Sequence, residues 1–311
     1  MIHSGILARA IGILSGKGGV GKTTLVSNIG IALAKEFSEN VVIVDSNIST
    51  SHLGLHLGLY DEFPYTLADV LNQKVPVSNA VYIHPTGVRI LPAPLSLENV
   101  KITKLNKVVN QLKKIYDIAV VDFAPGLGKE FMSAIYSIDD VVIVVNPDFP
   151  SVSDAIRTIQ VCKKLNKNVL GIVVNRWKNE KYELLTKEIE AACGVGILAV
   201  IPEDRRIPES ISKGLPAVVS YPNSSASVEI KKLSGSLVGK NYKHRNLFGS
   251  LMNWFANKHL SVKNFRKAKE QSKPMVHEVD VKEMKRNLTP KLREELKKEI
   301  IEKVRRKLEA R

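Results

Sequence analysis

Gly16-Lys17-Gly18-Gly19-Val20-Gly21-Lys22-Thr23-Thr24 stands between an apolar run, Ala10 to Leu14, and a segment, Thr23 to Glu36, in which Leu25, Ile29, Ala32 and Leu33 recur at helical spacing. The run reads as a buried strand and the segment as a helix. Strand, glycine loop and helix form the context that G-x-x-x-x-G-K-[ST], here Gly16 to Thr23, requires for phosphate binding. Glycines without a Cβ let successive backbone N–H groups, that of Val20 among them, converge on phosphate oxygens at the helix N-terminus. Lys22 is placed to reach β and γ phosphates, and the Thr23 hydroxyl, with Thr24 beside it, to ligate Mg²⁺. The plain alternative is a glycine loop that only turns the chain.

Lys17 is a second lysine in the loop, far in sequence from Lys22. The pattern resembles the deviant Walker A loop of the MinD/ParA family of ATPases. The resemblance implies that Lys17 crosses a dimer interface to the partner's nucleotide, in an ATP-sandwich homodimer. A merely solvated surface lysine is the other reading.

The apolar fraction of 44% over 311 residues suits a sizeable core. No run of about eighteen apolar residues is present, and the N-terminus enters a strand without a signal-peptide layout, so the expectation is a cytoplasmic protein. Cys162 and Cys193 lack C-x-x-C spacing, which argues against a metal or Fe–S site. The net charge of +15 is unevenly placed: residues 1–240 hold 26 Lys/Arg against 22 Asp/Glu, and residues 241–311 hold 20 against 9. A basic tail attracts anionic lipid, nucleic acid or acidic protein.

Further apolar runs, Val41–Val44, Val88–Leu91, Ile118–Val121, Val141–Val145, Val169–Val174 and Ile197–Ile201, alternate with helical patterns. Such alternation predicts an α/β fold, a doubly wound and mostly parallel sheet with helices on both faces. Ligands then bind outside the carboxyl ends of strands. Two carboxylates follow runs there, Asp45 and Asp122, and acids beside a phosphate loop hold Mg²⁺. Asp122 resembles the family's Walker B aspartate, with Phe123-Ala124-Pro125-Gly126-Leu127-Gly128 as switch II and the Gly126 N–H available to sense the γ-phosphate. Family members typically read D-x-D after the second strand; here the second position is Asn47. An asparagine can orient a water but cannot accept its proton, so slow hydrolysis is expected, Asp45 carrying the remaining carboxylate function. With Lys17, Lys22 and Gly126, these two residues complete the expected catalytic set.

Asn175-Arg176 resembles the family's adenine-reading pair, since an Asn side chain offers both a donor and an acceptor. Ile201-Pro202-Glu203-Asp204 looks like the segment that closes over the base, and Asn146-Pro147-Asp148 with Ser151-Val152-Ser153-Asp154 like the helix start that supports the dimer face. The resemblance covers about residues 8–238. Cluster carriers of the fold need interface cysteines, and its tyrosine kinases end in a tyrosine cluster; residues 243–311 contain no tyrosine.

In the tail, Leu247, Phe248, Leu251, Met252, Trp254 and Phe255 fall on one face of a short helix with Lys and Arg on both flanks. That describes a segment able to lie on an anionic bilayer, similar to the membrane-targeting helix of MinD proteins. Packing of the same face against the core is the alternative. Thr289-Pro290 opens a second helix with Leu292, Leu296, Ile300, Val304 and Leu308 in register, favouring a protein-contacting or self-packing helix over a second lipid anchor.

The expected organisation is an ATPase domain at 1–240, a basic amphipathic membrane-targeting segment at 241–267, a polar linker at 268–287 and a helix at 288–311. The expected function is a MinD-like ATPase using ATP and Mg²⁺, with ATP-dependent homodimerisation controlling reversible attachment to the inner face of the cell membrane and the spatial positioning of a cell division site or polar apparatus. An unidentified activating or cargo protein would complete it. The runners-up are a ParA-like DNA-partitioning ATPase, with nonspecific DNA as partner, and a weakly hydrolysing scaffold.

Overall fold

In the computed structural model of the chain, the residues described are 8–48, 50–59, 63–94, 100, 102–243 and 277–278. The anticipated membrane face, Leu247 to Phe255, and the helix expected at 288–311 lie outside them. The chain divides into the units Met1–His277 and Glu278–Arg311, and only Glu278 of the second is among the described residues.

Strand β1 (Arg9–Leu14) leads into helix α1 (Lys22–Glu36) and then β2 (Val41–Asp45). Two short helices, α2 (Leu53–His56) and α3 (Leu67–Leu71), precede the hairpin β3 (Tyr82–Ile83) and β4 (Arg89–Leu91). Next come α4 (Leu105–Leu112), β5 (Ile118–Asp122), α5 (Lys129–Ala134), β6 (Asp140–Val145) and α6 (Phe149–Lys164). β7 (Asn168–Trp177), α7 (Thr186–Cys193) and β8 (Ile197–Pro202) follow, then α8 (Arg206–Ser212), α9 (Ala217–Ser220) and α10 (Ser225–Leu237).

The eight strands from Arg9 to Pro202 stand in the order β8-β7-β6-β1-β5-β2-β4-β3. Only the β3–β4 pair is antiparallel among them. β2 and β5 are buried at every residue, as strands covered on both faces must be, and their Val and Ile side chains each contribute about 1.5–3 kcal/mol by leaving water. Helix α1 lies in the interior with Leu25, Ile29 and Leu33 at most 1% exposed. Parallel register sets Asp45 beside Asp122 and Asp122 beside Ile13, so the ends of three central strands gather at one edge.

The expected doubly wound sheet is present, with three differences of detail. α1 begins at Lys22, one residue before the anticipated start. β3, two residues long, carried no periodic signal that could have revealed it. β7 continues through Asn175 and Arg176 to Trp177, because Arg176 adopts φ +60 and shifts the register against β8 there. Beyond α10, the chain turns back on the end of α1: Lys240 Nζ donates to Phe37 O at 3.2 Å, and the Tyr242 ring meets Phe37 edge to face at 6.4 Å. Lys231, 3% exposed, pairs with Glu36 at 3.0 Å in the same place.

Candidate functional site

The loop between β1 and α1 is held by its own side chains. Lys22 Nζ donates to Ser15 Oγ at 2.8 Å, and Ser15 Oγ donates to Lys17 O at 2.7 Å. Ser15 was not singled out in the sequence; its only signal is its place at the strand end before Gly16. A Cβ on Gly16 would lie 2.6 Å from the Asp154 carbonyl oxygen, so α6 presses on the loop where only glycine fits. Gly21 caps α1 in the left-handed region at φ +100, and a Cβ there would come 2.3 Å from Asn175 Nδ2. That nitrogen donates to Val20 O at 2.7 Å, so one N–H of Asn175 is committed to the loop, leaving the other and the carbonyl oxygen for a base edge.

Thr23 Oγ1 donates to Asp122 Oδ2 at 2.6 Å, while Asp122 Oδ1 is buried with no hydrogen-bond partner among the described residues. A hydroxyl and a carboxylate oxygen converging beside a phosphate loop, one oxygen unsatisfied, fit a hard divalent cation such as Mg²⁺. Burial first, then the neighbouring Asp45 charge, pushes the Asp122 carboxyl up to about 7. Burial also pushes Asp45 up to about 6, against hydrogen bonds from Ser51, Asn47 and Leu53. The Lys22 ammonium is pulled below its ordinary value by burial, opposed by the Asp122 charge.

Three expected roles meet different geometry. Asp45 was expected beside the metal, yet both its oxygens receive loop donors: Asn47 N at 3.1 Å on Oδ1, Ser51 Oγ at 2.8 Å and Leu53 N at 3.4 Å on Oδ2. Asn47 was expected to orient a water, but its amide closes a reciprocal pair with Thr50, Nδ2 donating to Thr50 O at 3.0 Å and Oδ1 accepting from Thr50 Oγ1 at 3.1 Å. Gly126 was expected to offer a free N–H; it donates to Ser15 O at 3.3 Å, with Pro125 folded over Gly18. In each case a nearby group satisfies the atom first: for Asp45 and Asn47 it comes from the loop that follows β2, and for Gly126 from the distant end of β1. Lys17 Nζ, 43% exposed, lies 3.6 Å from Asp148 Oδ1 within the same chain, and an exposed pair of this length is worth under about 1 kcal/mol. Asp148 also caps α6, accepting from Ser151 N at 2.8 Å.

Gly21, Thr24, Asn175, Arg176, Pro202, Glu203 and Asp204 line one cleft of about 710 Å³, beside the apolar Ile207, Pro208 and Ile211 of α8. The structure therefore brings the anticipated base-reading residues together at one end of the phosphate loop. Glu203 N donates to Trp177 O at 2.9 Å and joins the two segments. An apolar-walled slot with amide and carboxylate groups at its rim suits a planar heterocycle.

Among known proteins, the family model described as ParA, NUBPL iron-transfer P-loop NTPase matches residues 7–238. An uncharacterized ATP-binding protein of Methanocaldococcus jannaschii is 40% identical over 241 residues, 76% of this chain and 90% of that one. The septum site-determining protein MinD of Pyrococcus horikoshii, solved with Mg-ADP, superposes with a TM-score of 0.71 at 34% identity, covering 74% of this chain and 96% of that one. The MinC:MinD cell division complex of Aquifex aeolicus includes a chain with a TM-score of 0.69 at 33% identity, the coverage being 77% and 99%.

Proposed function

The chain belongs to the ParA family of P-loop NTPases, and on that premise we propose that it is a MinD-type ATPase whose Mg-ATP-bound homodimer governs reversible attachment to a membrane. The observation that carries the reading is the continuity of one site: phosphate loop, Thr23 with Asp122, and the base cleft ending in Asn175 meet at the same edge of the sheet. Lys22 and the loop N–H groups bind the phosphates; Thr23 and the unsatisfied oxygen of Asp122 hold Mg²⁺, which when bound neutralises phosphate charge. Asn175 and the segment Pro202-Glu203-Asp204 receive the adenine. The slowness of hydrolysis follows from Asn47, which holds Thr50 and supplies no base.

Among the described residues the Lys17 ammonium is held by the weak pair with Asp148 alone, which supports its being free to reach a partner's nucleotide. The basic tail and the apolar face Leu247 to Phe255 support lipid contact, two copies per dimer binding with high effective concentration. Among the described residues no helix is long and apolar enough to cross a membrane. Iron transfer is not proposed, because the chain's two cysteines, Cys162 and Cys193, lack C-x-x-C spacing and are both buried.

The test is molar mass by light scattering and co-sedimentation with anionic liposomes, each in ATP and in ADP. ATP should double the mass of the wild type and drive it onto liposomes; Lys17→Ala should bind ATP within threefold of wild type yet remain a monomer in solution. ATP-driven dimers that ignore liposomes but retain duplex DNA would overturn the membrane reading in favour of DNA partitioning.

A further inference from the structure

Away from the nucleotide site, α3, the segment after it and α4 enclose a groove of about 760 Å³. Its floor is apolar: Val70, Leu71, Val77 and Val108 are each at most 7% exposed. Its rim is cationic and amide, with Lys104 and Lys107 on one side, Lys74 on the other, and no carboxylate among the described lining residues. Lys74 is already paired with Asp69 at 3.0 Å, so the charge without a carboxylate partner among the described residues belongs to the α4 side, where Lys104 and Lys107 stand one helical turn apart.

We propose that this groove docks an acidic amphipathic segment of a partner protein, its apolar side chains on the floor and its carboxylates on Lys104 and Lys107. Charge decides among the possible occupants. The chain's own tail, with 20 Lys/Arg against 9 Asp/Glu after residue 240, is of the wrong sign. A second copy docked groove to groove would set lysine against lysine. Among its described residues the lining contains neither an aromatic ring for base stacking nor an arginine for bidentate phosphate contact, which favours an acidic peptide over nucleic acid. An apolar floor with a charged rim is the usual division between anchoring and orientation in such complexes. The inference goes beyond the nucleotide reading and does not depend on it.

The experiment selects random 16-residue peptides displayed on phage against the full-length protein, with counter-selection on Lys104→Glu/Lys107→Glu. The winning peptide is then measured by fluorescence anisotropy. Enriched peptides should combine apolar spacing with Asp or Glu, and the double variant should weaken the best of them at least tenfold while ATP binds as to wild type. Scrambling the peptide at constant charge should weaken it at least tenfold as well, since the floor needs an apolar face. Failure to enrich any peptide, enrichment of neutral or basic ones, or equal binding by the double variant would overturn the proposal. So would a duplex DNA that displaces the peptide at comparable concentration. A change in ATP affinity would instead report on the nucleotide site.

Discussion

Replacing Asn175 by Asp changes one atom, and the structure specifies where that atom sits. Nδ2 donates to Val20 O at 2.7 Å in a buried position, and an aspartate puts an acceptor against that carbonyl. Leaving a buried carbonyl without its donor costs about 1–3 kcal/mol. If that cost is carried by the phosphate loop, affinity falls roughly 5- to 150-fold, since about 1.4 kcal/mol is a factor of ten. Asn175→Ala should lose less, because the vacated space lets water reach the carbonyl. The assay is calorimetric titration of both variants with ATP and with inorganic tripolyphosphate, which has no base. Loss of affinity for both ligands, larger in Asp than in Ala, follows if Asn175 acts through Val20. Tripolyphosphate binding within twofold of wild type in Asn175→Asp would refute the coupling and leave Asn175 as a contact to the base alone.

Buried Asp45 and Asp122, pushed up to about 6 and about 7, make the protein free of metal and nucleotide less stable as pH rises. The unfolded chain releases these protons from about pH 4 upward while the fold retains them, so each group costs about 1.4 kcal/mol per pH unit until its folded value is passed. Thermal unfolding in chelator from pH 5 to 8 should show a falling Tm, and Asp122→Asn should flatten the slope and raise Tm at pH 8; a rising wild-type Tm would contradict this. Asn47→Asp removes the donor to Thr50 O and restores a carboxylate, so steady-state ATP turnover should rise and exchange of the loop amides quicken. Turnover equal to wild type would show that Asn47 does not limit hydrolysis. Lys231→Ala strips the partner from Glu36 and empties a buried site, costing about 3 kcal/mol and roughly 6–12 °C in Tm by differential scanning calorimetry. A shift below 2 °C would show that the contact is not stabilising.

The phosphate loop, the two acids at strand ends and the alternation of strands with helices were legible because each is local. A glycine-rich nonapeptide, an apolar run ending in aspartate and a helical repeat all state their physical requirements within a few residues. The residues expected to read the base were legible through resemblance only, since Asn175 and Pro202 are separated along the chain and meet by strand register between β7 and β8.

What the sequence could not declare was how polar atoms would be shared. Asp45, Asn47 and Gly126 each received an expected role from their residue type, and each is engaged by a neighbour: a loop hydroxyl and amides, Thr50, and the Ser15 carbonyl. Buried groups must be satisfied, and which of several possible partners does so depends on how the loop after β2 folds and, for Gly126, on the alignment of β1 with β5. By itself the sequence determined a phosphate-binding α/β chain with a second lysine in its loop. Tertiary structure decided that Lys17 rests on Asp148, that Asp122 keeps the unsatisfied oxygen, and that Asn175 supports the loop it was expected only to neighbour.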